Sequence, residues 1–110
     1  MKLAVATSDG KNVDLHFGSA GIFLIFEIED NNVNFLELRD KPILHINEHS
    51  DRWNVSLKLL EDCRVIFCSR IGSGPKEALQ NKGIKLLESQ KTIKEAVKDY
   101  LSSDIKIYNR

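Results

Sequence analysis

Three histidines and two cysteines are the side chains of this chain best suited to bind a metal, and their spacing decides which can act together. His16 stands in Leu15-His16-Phe17-Gly18-Ser19, near the end of a segment from Asp9 to Gly21. At about a dozen residues, that segment is longer than a tight connection needs, and surplus length of this kind is usually functional. An imidazole binds a borderline metal, a neighbouring aromatic ring excludes water, and a glycine lets the backbone come close. A plainer alternative also fits: Phe17 anchors the segment to the core and His16 is a partly exposed polar residue. Spacing alone favours that alternative.

The other candidates are weaker when taken singly. His45 and His49 are four apart and would share a face if helical, but Pro42 and the capping residues Asn47 and Ser50 put His45 in the loop before a helix. Cys68 ends an apolar run and precedes Ser69-Arg70-Ile71-Gly72, at the strand edge where open α/β sheets collect ligands. It reads equally as a buried cysteine acting as a small hydrophobe, as does Cys63. Placed on one strand, Cys63 and Cys68 would lie roughly 16 Å apart and on opposite faces. They should therefore neither form a disulfide, which needs Cα atoms within about 7 Å, nor share a metal. Gly72-Ser73-Gly74-Pro75-Lys76 joins a strand to a helix start, where free N–H groups attract anions. It lacks the Gly-Lys-Ser/Thr of a phosphate loop, and a simple turn explains it as well.

The elements that must position these residues follow from periodicity. Lys2–Ser8 reads as a strand buried on both faces. Ile22–Glu29 and Val33–Arg39 are strands joined by a tight turn at Asp30-Asn31-Asn32, since asparagine tolerates positive φ. A helix starts after Asn47 or Ser50 and ends near Glu61, with Trp53, Leu57 and Leu60 turned to the sheet. Arg64–Ser69 is a strand, and Gly74-Pro75 opens a helix that Gly83 closes. Ile84–Leu87 is a short strand. Thr92-Ile93-Lys94-Glu95 is a capping box in which hydroxyl and carboxylate each take a free backbone N–H. Ile93, Ala96, Val97, Tyr100 and Leu101 then form one apolar stripe. A hairpin followed by β-α-β units predicts an α/β fold with a mixed sheet covered by helices.

The whole chain sets further bounds. With 110 residues it has the size of one domain, expected over 1–110, large enough to fold without disulfides or structural metal. Hydrophobic residues make up 42% and charged residues 29%, an ordinary globular composition. Sixteen basic residues balance sixteen acidic ones, so no electrostatic footprint for nucleic acid exists. The opening apolar run stops at Thr7-Ser8-Asp9, too short for a signal peptide, and nothing approaches a membrane span. A cytoplasmic location is expected. Paired acids, Ser–His–Asp sets and His-Glu-x-x-His motifs are all missing, which argues against hydrolytic catalysis.

Four stretches stand out together: Lys2-Leu3-Ala4-Val5-Ala6-Thr7-Ser8-Asp9-Gly10, Asp14-Leu15-His16-Phe17-Gly18, Phe23-Leu24-Ile25-Phe26-Glu27, and Leu60 to Gly72 with Pro75-Lys76 and Gly83-Ile84. In their order and spacing they resemble the dinitrogenase iron–molybdenum cofactor biosynthesis family, that of NifX, NafY and the NifB C-terminal domain. The resemblance covers nearly the whole chain. It implies a ribonuclease H-like fold with a mixed five-stranded sheet, ordered strand-strand-strand-helix-strand-helix-strand-helix. It also implies carriage of an iron–sulfur or iron–molybdenum cofactor precursor cluster, with the His of His-Phe-Gly, here His16, as a ligand. Where NifB-type domains commonly carry a cysteine after the third strand, this chain has His45. The Cys-x-x-x-Cys-x-x-Cys radical motif is missing, so cluster-building catalysis is not implied.

The expected cargo contacts are thus His16, Phe17 and Gly18, with Ser8, Asn12, Gly72 and Gly74. The expected metal contacts are His16, His45, His49 and Cys68. Expected partners are donor or acceptor proteins of cofactor assembly, with no nucleic acid or membrane, and the chain is expected as a monomer or weak homodimer. Few ligands on a reachable loop suit a carrier, which must release its cargo. The rival reading is a regulatory or interaction module that has kept the fold and lost the metal. An enzyme holding a phosphorylated substrate at Ser73-Gly74 is remote, lacking an acid–base set.

Overall fold

The computed structural model describes residues 1–41 and 49–108, with side chains throughout except at 49–52 and 103–108. Its elements are β1 (Lys2–Ala6), β2 (Ile22–Glu29), β3 (Asn32–Asp40), α1 (His49–Leu59), β4 (Val65–Cys68), α2 (Ser73–Asn81), β5 (Lys85–Glu88) and α3 (Ile93–Tyr108). The order is the expected one. The sheet runs β3-β2-β1-β4-β5, antiparallel at β3–β2 and β2–β1 and parallel at β1–β4 and β4–β5. This is the mixed five-stranded α/β sheet that the alternation of runs predicts.

Side-chain parity divides the core into two layers. Ala4, Ala6, Phe23, Ile25, Ile66 and Cys68 face α1 and α2, meeting Leu57, Leu60 and Leu79. Leu3, Val5, Val65 and Phe67 face α3, meeting Ile93, Ala96, Val97 and Tyr100. All four residues of β4 are buried, as a parallel strand covered on both sides requires. In contrast, every residue of the edge strand β3 is at least partly exposed.

Local chemistry sets the boundaries. β1 stops at Ala6 rather than Ser8 because Thr7 and Asp9 turn their polar atoms inward on the next few residues. The Thr7 hydroxyl accepts from Gly10 N, and the Asp9 carboxylate accepts from Lys11 N, Asn12 N and Asn12 Nδ2. The hairpin turn has two residues, Asp30 and Asn31, both at positive φ, with Asn32 already paired to Glu29. In the capping box, Thr92 Oγ1 accepts from Glu95 N, but the Glu95 carboxylate takes the Thr92 hydroxyl instead of the backbone N–H. The α2 helix begins at Ser73, so Pro75 is its third residue; that position has no intrahelical donor duty, and Lys76 N makes the first bond, to Gly72 O.

Cys63 and Cys68 are both free and buried, and both lie in the α1–α2 layer. The opposite-face expectation fails because Cys63 precedes β4, so strand parity does not govern it.

Gly83 ends α2 at φ +75°. Gly83 N donates to Gln80 O and Ile84 N to Leu79 O, while Ile84 packs with Leu79 in the core. This pairing is a Schellman motif. Gly83→Ala should lower unfolding stability by about 1–2 kcal/mol, the cost of a Cβ in left-handed backbone, read as a lower urea midpoint at unchanged slope.

Arg39 fastens β3 to the end of α1. Its guanidinium donates to both Asp62 carboxylate oxygens, at 2.6 and 2.9 Å, and to Leu59 O at 2.8 Å, while Lys2 Nζ adds a third contact to Asp62. Those hydrogen bonds, Arg39's first, hold the Asp62 carboxyl well below the usual 3.8. Asp9 is held at about 2, chiefly by the Asn12 and Lys11 amides. A carboxyl with a depressed folded pKa contributes stability above its unfolded value and loses it as pH falls. The melting temperature should therefore be flat above 3.8 and fall as pH drops toward 2; Asp62→Asn should melt lower at neutral pH and show a shallower acid decline.

Candidate functional site

The segment after β1 is an excursion that leaves the sheet and returns to it. Leu15 N donates to Ala6 O, Ser69 N to Leu15 O, and Phe17 N to Arg70 O. His16 pairs with Arg70 in a parallel bridge. The β1–β4 register sets Val5 against Phe67, so His16 fills the place that position 8 would take if β1 ran straight on. The histidine is therefore held by main chain at the C-terminal ends of the two central parallel strands. There the strand order reverses, with β2 on one side of β1 and β4 on the other, and such a crevice is where α/β sheets bind ligands.

The excursion straddles the sheet end. Val13 is buried in the α3 layer, with Val13 N donating to Lys91 O and Ile93 N to Lys11 O. Phe17 and Ala20 are buried in the opposite layer, where the Phe17 ring lies 6.2 Å from that of Phe23. From the far side, Lys41 at the end of β3 donates its Nζ to Gly18 O at 2.6 Å and to Ser56 Oγ at 3.4 Å, tying the loop to α1.

These restraints leave an open cleft of about 530 Å³, lined by His16, Gly18, Ser19, Trp53, Arg70, Ile71, Gly72 and Pro75. His16 and Arg70 are exposed on it, Trp53 is half-buried and Pro75 is buried. A Cβ at Gly18 would meet nothing within 4 Å, whereas one at Gly74 would sit 3.7 Å from the Trp53 indole. The rim is positive. Arg70 has no ion pair among the described residues, and α2 is capped at Gly72 with no side-chain hydrogen bond and has no acidic residue in its first turn. The chemistry on offer is one imidazole donor, a guanidinium and helix N–H groups for negative charge, and an indole wall.

The expected contacts separate into those the fold gathers and those it does not. His16, Gly18 and Gly72 line the cleft; Phe17 lies beneath it and Gly74 backs onto Trp53. Ser8 does not reach it: its amide and hydroxyl both bond to Asp14. Asn12 is bound to Asp9 and bridges to Thr92, at the start of α3. Cys68 is fully buried, and burial pushes its thiol up to about 12, so the metal-binding thiolate is disfavoured at neutral pH. His49 opens α1, and its side chain lies outside the described ones; His45 lies outside the described residues altogether. Among the described residues, no three His, Cys, Asp or Glu side chains gather as a metal site. Sequence reasoning missed Trp53, Arg70 and Lys41. Arg70's place at a strand's C-terminal edge was a usable signal; the other two depend on tertiary packing.

The family described as dinitrogenase iron-molybdenum cofactor matches residues 1–103. Among individual relatives, the FeMo cofactor biosynthesis protein NifB of Frankia alni is 34% identical over 100 residues, covering 86% of this chain and 20% of that protein. Protein NifX of Sinorhizobium fredii is 32% identical over 84 residues, covering 71% of this chain and 52% of NifX. The chain thus spans about a fifth of that NifB and about half of that NifX. The crystal structure of PH0822 superposes with a TM-score of 0.74 at 25% identity, covering 94% of this chain and 90% of that one. The apo form of the orange protein from Desulfovibrio gigas shares the fold, with a TM-score of 0.69 at 20% identity over 93% of this chain and 88% of that one. With residues 1–103 matched in sequence, the chain belongs to the dinitrogenase iron-molybdenum cofactor family.

Proposed function

We propose that this chain is a non-enzymatic carrier of an iron–sulfur or iron–molybdenum cofactor precursor cluster, which rests in the His16 cleft. The observation that carries this reading is the cleft itself: the exposed imidazole of His16, fixed by main chain beside Arg70, over an open space of about 530 Å³. Sulfide-rich clusters are anionic, and the guanidinium with the uncapped α2 end supplies complementary charge. An imidazole with electrostatic support on an open cleft holds a cluster loosely enough to pass it on, unlike an enclosed four-cysteine site. The partners are then donor and acceptor proteins of cofactor assembly, and the setting is the reducing cytoplasm, which the two free cysteines suit.

Anaerobic incubation of the protein with iron and sulfide tests the reading. Charge-transfer absorption should appear in the visible region and should vanish on adding a strong iron chelator. Arg70→Glu, which reverses the rim charge, should lower the retained iron without shifting the melting temperature. Failure to develop the absorption, or retention that ignores both the chelator and Arg70→Glu, would count against a transferable cluster.

A further inference from the structure

The sheet face that α3 covers is covered only in part. The paired residues Leu24↔Leu38, Phe26↔Phe35 and Ile28↔Val33 all project to the α3 side, yet only Ile28 is buried there. Phe35 is 58% exposed, Leu38 48% and Val33 36%, on a strand whose outer edge has no partner strand among the described residues. Phe26 and Phe35 stack edge to face at 5.8 Å, which makes the patch a continuous apolar surface. Between it and α3 runs a groove of about 870 Å³ whose walls include Phe26, Val33, Val97 and Leu101. An apolar surface of this kind marks an interaction site more often than chance exposure.

Charge says what fits. Among the described residues, the charged side chains lining the groove are Lys11, Lys94 and Lys98, and none has an ion pair among those residues. A second copy laid face to face would set these lysines against lysines, with no carboxylate among the described lining residues between them, which is repulsive. A flat anionic bilayer meets convex apolar surfaces better than a groove between helix and sheet. A protruding protein segment with apolar side chains and flanking carboxylates satisfies both features.

We propose that the groove between α3 and the β2–β3 hairpin docks a partner-protein segment that presents apolar side chains flanked by Asp or Glu. It lies on the opposite sheet face from the His16 cleft and does not depend on what that cleft holds. Selection of a random displayed peptide library against the full chain tests it. Enriched peptides should combine apolar and acidic residues and perturb the NMR signals of Val33, Phe35 and Val97. Lys94→Glu combined with Lys98→Glu should weaken them on the order of tenfold, and Phe35→Asp should abolish binding while the melting curve stays in place. Any of four results overturns the proposal: no enriched peptide, enrichment without acidic residues, binding indifferent to both variants, or self-association or binding to phosphatidylserine vesicles that Phe35→Asp removes.

Discussion

His16→Ala should leave the protein folded and strip it of iron. The side chain is exposed and the loop is held by main chain, with Phe17 N bonded to Arg70 O and Ala20 N to His16 O, so truncation removes no buried group. Exposed substitutions of this kind change stability by roughly 0.5 kcal/mol or less. Cluster retention should respond very differently. Losing even an outer-shell partner of a metal ligand costs about 10- to 100-fold in affinity, and losing a ligand itself should cost at least that. His16→Cys should recover retention and slow release, since a thiolate binds iron–sulfur clusters more strongly than imidazole. Iron content after gel filtration, set beside a thermal melt of the same sample, separates loss of cargo from loss of fold.

Phe17→Ala should have the opposite signature. The ring is fully buried in the α1–α2 layer beside Phe23 and carries the loop's hold on the sheet end. Removing it costs the transfer of the ring and leaves a cavity, about 3–5 kcal/mol, against a total stability of about 5–15 kcal/mol. The melting temperature should fall by roughly 12 °C or more, and cluster retention should fail with it because His16 loses its base. Phe17→Leu, which keeps most of the volume, should recover much of the stability and the retention. A drop below about 1 kcal/mol for Phe17→Ala would mean that the loop packs far more loosely than the ring's burial implies.

Most of this architecture was legible in the residues because local chemistry and tertiary packing agree. Gly83 at positive φ, Thr92 as a cap, and the run Val65-Ile66-Phe67 each signal the element they occupy. The cleft was only half legible. The length of the His16 segment marked it, but the return of the chain into the lane of β1 depends on Leu15 and Phe17 bonding to the end of β4, a contact across more than fifty positions of sequence. Trp53 read as a sheet-facing helix residue, and it does pack against the core that Leu57 and Leu60 enter; that its indole also walls the cleft depends on where α2 lies. Cys68 was ambiguous by type; it lies fully buried in the α1–α2 layer of the core. The exposure of β3 was invisible for another reason: Val33, Phe35 and Leu38 look like any half-buried strand until the strand order puts them at an edge beyond the reach of α3.

If His16 holds a transferable metal–sulfur cargo, metal analysis of the protein and its His16→Ala variant, both purified anaerobically from the same cells, will show it. The wild type should carry iron and acid-labile sulfide, with or without molybdenum, and the variant should lack them while melting at the same temperature. Equal metal in both proteins, or none in either, would contradict it.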